Sequence, residues 1–350
     1  MNNNTKDRYL ITGGYGFIGS SLIRILLSNG EYVANIDKLS YSANLNSLEG
    51  IETEENYIFF QNDICDELSL FNIINNFKPT KVIHLAAETH VDRSIDNPSN
   101  FIQSNIIGTY NLLNSCLRFW NSLELNERNN FRLLLVSTDE VYGSLSLSDK
   151  VFTEDSHYKP NSPYSASKAA SDLLGRAWIK TFELPVIITN TSNNFGPWQY
   201  PEKLIPLTIS KCLKNNKIPI YGNGEQIRDW IYVDDHSEGI LSAINNGKVG
   251  EKYNISSKNE LRNIDVVNDI CSILDKLYPM ENENYNTLID FVADRPGHDF
   301  RYALSNAKIK SLGWRPKTSW LNGLEQSIKW YLNNRDFLEN YSGERLGRSK

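Results

Sequence analysis

Along the first half of the chain, short apolar runs alternate with longer stretches in which apolar residues recur every three to four positions. The runs Arg8–Thr12, Tyr32–Ile36, Tyr57–Gln61, Lys81–Ala86, Phe131–Ser137 and Pro185–Thr189 read as strands. Between them, Phe17–Ser28, Glu67–Phe77, Pro98–Phe119 and Pro163–Phe182 read as helices. Strands this apolar need cover on both faces, so the pattern predicts a doubly wound α/β fold around a parallel sheet. After about residue 190 the rhythm loosens, and Pro197, Pro201, Pro206 and Pro219 with Gly196, Gly222 and Gly224 mark loops. Helices are still expected at Asp234–Asn245, Ile264–Leu277, Asn306–Leu312 and Leu321–Asn333, and a strand at Glu251–Ile255. The asparagine-rich stretch Asn126–Asn130 reads as solvated loop, and the polar end 341–350 as a frayed tail.

The chain's 350 residues are about twice one usual domain. With 40% hydrophobic and 22% charged residues, it is an ordinary globular composition. No apolar run approaches the roughly 18 residues of a membrane span, and the first residues lack the apolar segment of a secretory leader. A net charge of −6 argues against non-specific nucleic-acid binding, while leaving room for a local basic pocket. Cys65, Cys116, Cys212 and Cys271 lie far apart and the five histidines show no ligand spacing, so neither a metal site nor a disulfide frame is expected. A cytoplasmic protein fits these features.

Three segments carry chemistry. The first, Thr12-Gly13-Gly14-Tyr15-Gly16-Phe17-Ile18-Gly19, follows a strand and opens a helix. Glycines there let backbone N–H groups approach a pyrophosphate at the positive helix end. Asp37 ends the second strand, 24 residues after Gly13, where a carboxylate binds ribose hydroxyls and disfavours a 2′-phosphate. Together they indicate NAD on a Rossmann-like domain. A glycine-rich turn without ligand is the bland alternative. The second segment is Tyr164-Ser165-Ala166-Ser167-Lys168. On a helix these ends share a face, so the ammonium can lower the phenol pKa and make it a general base. That spacing alone is weak evidence. The third, Ser137-Thr138-Asp139-Glu140, ends an apolar strand at the edge where such sheets bind ligands. Two carboxyls in one pocket separate into an acid and a base; a solvated acidic turn is the alternative.

These residues, with His84 to Ile95, Asn193 to Pro206, Tyr221 to His236 and Asp294 to Ala303, resemble the extended short-chain dehydrogenase/reductase family nearly end to end. Within it they are similar to the nucleotide-sugar 4,6-dehydratases that act on dTDP-glucose. The resemblance implies NAD-dependent dehydration to a 4-keto-6-deoxy sugar, feeding deoxysugar biosynthesis such as that of rhamnose. It gives Tyr164 and Lys168 the oxidation at C4, with Thr138 on the C4 oxygen. Glu140 takes the C5 proton and Asp139 protonates the departing C6 hydroxyl. It implies cofactor contacts from Gly13, Gly16, Phe17, Ile18, Gly19, Asp37, Lys38, Leu39, Ser40, Asp63, Ile64, Leu85, Ala86, Ala87, Thr89, Ser104 and Asn194, besides Tyr164 and Lys168. For the nucleotide sugar it implies His90, Thr138, Asn193, Lys203, Leu204, Pro219, Tyr221, Arg228, Asn263, Arg295 and His298. Tyr15 replaces a usual small residue and either crowds the pyrophosphate or points to solvent.

Two other readings stay open. A nucleotide-sugar 4-epimerase uses the tyrosine and NAD but needs no second acid–base pair. A non-catalytic NAD-sensing protein is the other, because fold does not fix function. Residues 1–192 are expected to form the NAD-binding domain, rejoined by about 229–257, and 193–340 the nucleotide-sugar domain. Apolar residues around more than one face of the two long helices 98–119 and 163–182, as for Ile102, Ile106, Tyr110, Leu113, Leu117 and Phe119, suggest a homodimer, and the resemblance implies that such helices pair in a four-helix interface about a two-fold axis.

Overall fold

The computed structural model describes residues 6–294 and 297–339. The tail 341–350 and Arg295 therefore lie outside the described residues. The first half runs β1 (Arg8–Thr12), α1 (Phe17–Ser28), β2 (Tyr32–Asp37), β3 (Tyr57–Gln61), α2 (Glu67–Phe77), β4 (Lys81–His84), α3 (Val91–Asp96), α4 (Pro98–Phe101), α5 (Gly108–Ser122), α6 (Leu125–Asn130), β5 (Arg132–Thr138), α7 (Pro163–Phe182) and β6 (Val186–Thr191). It continues with β7 (Asn193–Phe195), α8 (Leu204–Leu213), β8 (Ile218–Tyr221), β9 (Ile227–Tyr232), α9 (Val233–Asn246), β10 (Lys252–Ile255), β11 (Glu260–Arg262), α10 (Asn263–Leu277), β12 (Ile289–Val292), α11 (Ala307–Ser311), α12 (Trp320–Asn333) and α13 (Arg335–Glu339).

Seven strands form one parallel sheet in the order β10-β6-β5-β4-β1-β2-β3. Period-two alternation sends successive side chains to opposite faces. Ile11, Leu134 and Val136 pack with α1 and α9 on one side. Leu10, Leu133 and Leu135 pack with α2 and α5 on the other. This is the doubly wound fold that the apolar runs predict. The order reverses beside β1, and ligand crevices open there, beyond the carboxyl ends of the strands. A second core gathers Phe195, Ile209, Trp230, Ile270 and Leu324 from β7, α8, β9, α10 and α12. Two small sheets, β11-β9-β7 and β12-β8, frame it.

Several expectations change. Residues 98–119 are not one uniform helix: between α4 and α5 the segment Ile102–Ile107 widens to a π-helical turn. The Asn105 carbonyl there accepts hydroxyl bonds from Thr109 (2.5 Å) and Ser171 (2.6 Å), and such insertions open a helix ladder. Leu113 and Phe119 are buried in the core beneath this helix, whereas Ile102 and Tyr110 are exposed. Asn126–Asn130 lies in helix α6 rather than loop; Glu127 accepts from the Glu124 N–H, and Arg128 clips the helix to Trp120. Tyr15 neither faces solvent nor crowds the glycine turn. Its ring is buried edge-on against Phe59, with centroids 4.9 Å apart.

Candidate active site

The carboxyl ends of β1 to β6 open into one trench. Its floor is the turn after β1. Gly13 has φ +77°, and a Cβ there would lie 2.7 Å from the Ala86 nitrogen. At Gly19, on the first turn of α1, a Cβ would lie 2.2 Å from the Gly13 carbonyl. The turn and helix thus meet backbone to backbone, which leaves α1's N-terminal amides facing the trench. Thr12 holds the next wall, its hydroxyl accepting from the N–H groups of Leu85 and Ala86, both at 3.2 Å. His84 is buried between the Thr12 and Thr109 hydroxyls, and burial with the nearby Lys168 charge pushes its pKa down to about 3. It is a neutral structural imidazole.

Asp37 closes the other side. Its carboxylate accepts from the Tyr15 N–H (3.0 Å) and the Leu39 N–H (2.8 Å). Each oxygen keeps lone pairs for further donors, as two ribose hydroxyls would supply. Lys38 donates to Ser104 and lies 3.6 Å from Asp63, so the structure brings three of the expected cofactor residues together. Gly16, Phe17, Ile18, Ser40, Ile64, Ala87, Thr89 and Asn194 also line the trench. Leu39 instead packs against the main core. At the far end Asn194 Oδ1, Ser192 Oγ and Gln199 Oε1 are buried without hydrogen-bond partners. Buried polar atoms normally have partners, so this wall fits a ligand rich in donors.

The reactive groups stand between. Ser162 caps α7, accepting from the Ser165 N–H at 3.0 Å, with Pro163 in the first turn. That start places Tyr164 and Lys168 one helical turn apart on the trench wall. Thr138 ends β5 and accepts from the Glu140 N–H (3.3 Å), turning Asp139 and Glu140 into the same space. Burial, then the Glu140 and Asp229 charges, raise the Asp139 pKa well above its usual range. Its Oδ2 is buried with no hydrogen-bond partner, so nothing there offsets the cost of a charge. Burial also raises Tyr164, and the lowering influence is a hydrogen bond with Thr138 rather than Lys168. Lys168 donates to the Val136 carbonyl at 2.9 Å. The expected lowering of the phenol by this ammonium is thus not among the leading influences in the protein alone, where burial dominates.

Asp139 carries a stability prediction. A carboxyl with a folded pKa above its unfolded value costs stability as pH rises from the unfolded towards the folded pKa. Asp139→Asn removes that cost. Thermal melts are expected to show the variant more stable than the parent near about pH 8, with the gain vanishing towards about pH 4. Equal melting at both would place an unstrained, ionised carboxylate at 139.

Of the expected sugar-nucleotide residues, Thr138, Asn193 and Lys203 line the trench. His90 lies outside that lining as the N-cap of α3, its Nε2 3.9 Å from Glu202. Leu204 opens α8 and packs on the second core. Tyr221 and Pro219 lie on β8, with the Tyr221 ring 6.2 Å from that of His298. His298 pairs with Asp294, which accepts from Gln226, whose carbonyl accepts from Asn263. These residues form a second, neighbouring cluster. Arg228 is buried, donating to the carbonyls of Ile227, Phe300 and Asp299 over the Tyr302 ring.

Sequence reasoning missed Asp172, Asp229 and Glu202. Asp172 is buried one turn beyond Lys168 and accepts from Ser137, Tyr158 and Asn190; its four-residue spacing from Lys168 was a usable signal. Asp229, beside Asp139, is pushed up to about 6 by burial. Glu202 lies on the trench wall next to Lys203. Among the described residues, no helix is long and apolar enough to cross a membrane, and no group of His, Cys, Asp and Glu could hold a metal.

A family model described as GDP-mannose 4,6 dehydratase matches residues 10–327. A dTDP-glucose 4,6-dehydratase of Escherichia coli is 49% identical over 97% of this chain and 99% of its own. Among solved structures, DesIV, a dTDP-glucose 4,6-dehydratase from Streptomyces venezuelae with NAD bound, is 39% identical with a TM-score of 0.85 over 94% of this chain and 98% of that one. A UDP-glucose 4-epimerase from Thermotoga maritima shares the fold at a TM-score of 0.81 but is 26% identical, over 94% of this chain and 99% of that one.

Proposed function

The chain belongs to the dTDP-glucose 4,6-dehydratases, and from that premise we propose how its own residues divide the work. It is a lyase that converts dTDP-glucose to dTDP-4-keto-6-deoxyglucose with NAD. The observation that carries the division is Asp139, buried with its pKa raised, beside Glu140 in the trench that also holds Tyr164. An epimerase has no use for that pair. Bound NAD supplies the hydride acceptor at C4 and the hydride donor at C6. Tyr164 takes the C4 hydroxyl proton, and Thr138, already its hydrogen-bond partner, steadies the same oxygen. The C4 ketone then acidifies C5, whose proton Glu140 removes. Asp139 gives its proton to the departing C6 hydroxyl, water leaves, and C5 takes back a proton as C6 is reduced.

Lys168, held by the Val136 carbonyl and with its pKa lowered by burial, stands at the trench wall where cofactor and phenol meet. Asn194, Ser192 and Gln199 offer acceptors to the nicotinamide end, and Asp37 to the adenosine ribose. The cluster of Tyr221, Asn263 and His298, with Arg228, takes the nucleotide. Incubation with dTDP-glucose is expected to yield 4-keto product, read by its alkaline absorbance. UDP-glucose lacks the thymine methyl, which in a pocket is worth roughly 10–200-fold, and carries a ribose 2′-hydroxyl besides. No product from either substrate contradicts this function.

Asp37→Ala is expected to weaken NAD binding about tenfold or more, since ribose and the Tyr15 and Leu39 amides lose one acceptor. It also removes the charge that repels a 2′-phosphate, so rejection of NADP relaxes. Titrations showing both affinities unchanged place the ribose elsewhere. The enzyme works in the cytoplasm as a homodimer on this reading. Ile102 and Tyr110, with Ile107, Leu173 and Phe182, are exposed along the 102–122 segment and α7 and supply the shared apolar surface. Sedimentation at micromolar concentration should give twice the 40.0 kDa chain mass; a monomer rejects the assembly.

A further inference from the structure

Two loops and helix α3 meet over the mouth of the trench, and their meeting point belongs to none of the chemistry above. Tyr41 lies in the loop after β2, between Ser40 and Ser42, which both line the trench. Arg93 is on α3, just beyond the lining residues Glu88 and Thr89. Glu202 comes from the loop between β7 and α8, and its side chain is only 4% exposed. Its Oε1 accepts from the Tyr41 hydroxyl at 2.9 Å, and its Oε2 from the Arg93 Nε at 3.2 Å. The Arg93 guanidinium lies 3.9 Å from the centre of the Tyr41 ring. Each member therefore touches the other two.

We propose that Tyr41, Arg93 and Glu202 form a clasp that ties these segments together over the trench and sets how long NAD stays bound, which rests on the assignment of the trench to NAD. Loops are positioned by few contacts compared with strands, so a closed triangle of charge-assisted bonds between them fixes more than its size suggests. Removing one partner leaves a nearly buried charge short of its bonds, which favours opening. Lys203 adds a second tie across the same gap, donating to the Thr89 carbonyl at 3.2 Å. The chemistry gives such a clasp a purpose. The hydride taken from the sugar returns to the same sugar, so a cofactor that left in between would strand a half-converted substrate.

The test is NAD release from the purified holoenzyme, followed by chasing bound NAD with excess isotopically labelled NAD. Glu202→Gln is expected to speed release about tenfold, as loss of a charged hydrogen bond does. Tyr41→Phe keeps the ring under Arg93 and loses one hydroxyl, so it should speed release less, by about threefold. The double variant should release no faster than the product of the two, because both act on one contact. Unchanged release in both single variants overturns the clasp. So does a Glu202→Gln enzyme that loses turnover yet keeps NAD, which would place Glu202 on the sugar. Should Glu202→Gln not fold, Tyr41→Phe alone decides, its melting temperature serving as the control. A parent enzyme that binds no NAD at all overturns instead the assignment of the trench.

Discussion

Glu140→Gln should oxidise the sugar at C4 and then stop. The substitution preserves shape and hydrogen bonding but removes the base assigned to C5, and a positioned general base contributes roughly 10²–10⁴-fold. Rapid mixing with dTDP-glucose is therefore expected to show the absorbance of reduced nicotinamide rising and persisting, with 4-keto-6-deoxy product formed about a thousandfold more slowly. Tyr164→Phe should fail in the opposite way. Without the phenol no base faces the C4 hydroxyl, oxidation itself is blocked, and no such absorbance appears. The contrast is more informative than either loss alone, because a merely unfolded variant mimics Tyr164→Phe and never Glu140→Gln. A Glu140→Gln enzyme that turns over normally, or shows neither absorbance nor product, contradicts the division of labour.

Gly13→Ala is the second large effect expected. Its φ of +77° is strained for any residue with a Cβ, and that Cβ would lie 2.7 Å from the Ala86 nitrogen. Ala86 cannot retreat easily, since its N–H is bonded to the Thr12 hydroxyl. Backbone strain of about 1–3 kcal/mol, plus the clash, must be relieved by moving the turn that faces the pyrophosphate. Calorimetric NAD affinity should fall by about a hundredfold or more, which 3 kcal/mol amounts to. Retained affinity would mean that the turn is not the phosphate seat.

The elements best legible in the sequence are short apolar strands and helices with one apolar face. β1, β3, α1, α2 and α7 begin and end where their patterns predict, because a strand covered on both faces reads as an apolar run and a helix face imposes a period of three to four. Less legible were elements that local chemistry decides. α6 has no buried residue, so no apolar periodicity marks it; its Glu127 cap and the Arg128–Trp120 clip hold it. α8 went unread because its Pro206 looks like a loop, although a proline in a first helical turn loses no hydrogen bond. The π-helical turn at Ile102–Ile107 depends on hydroxyls reaching one carbonyl, from Thr109 in the next turn and from Ser171 on α7. At the site, Asp139, Glu140, Tyr164 and Lys168 were readable from spacing and strand context. The burial that pushes the Asp139 and Tyr164 pKa values up was not, since it comes from elements far apart in the chain. Glu202 escaped notice for the same reason, its partners lying more than a hundred residues earlier.

The central claim is that the hydrogen leaving C4 returns to C6 while Glu140 and Asp139 remove water between those events. Substrate carrying deuterium at C4 tests it most directly, with the label located in the product by NMR. The expected result is deuterium in the C6 methyl group and solvent hydrogen at C5. Deuterium returned to C4, as epimerisation requires, or lost to water, would contradict the account.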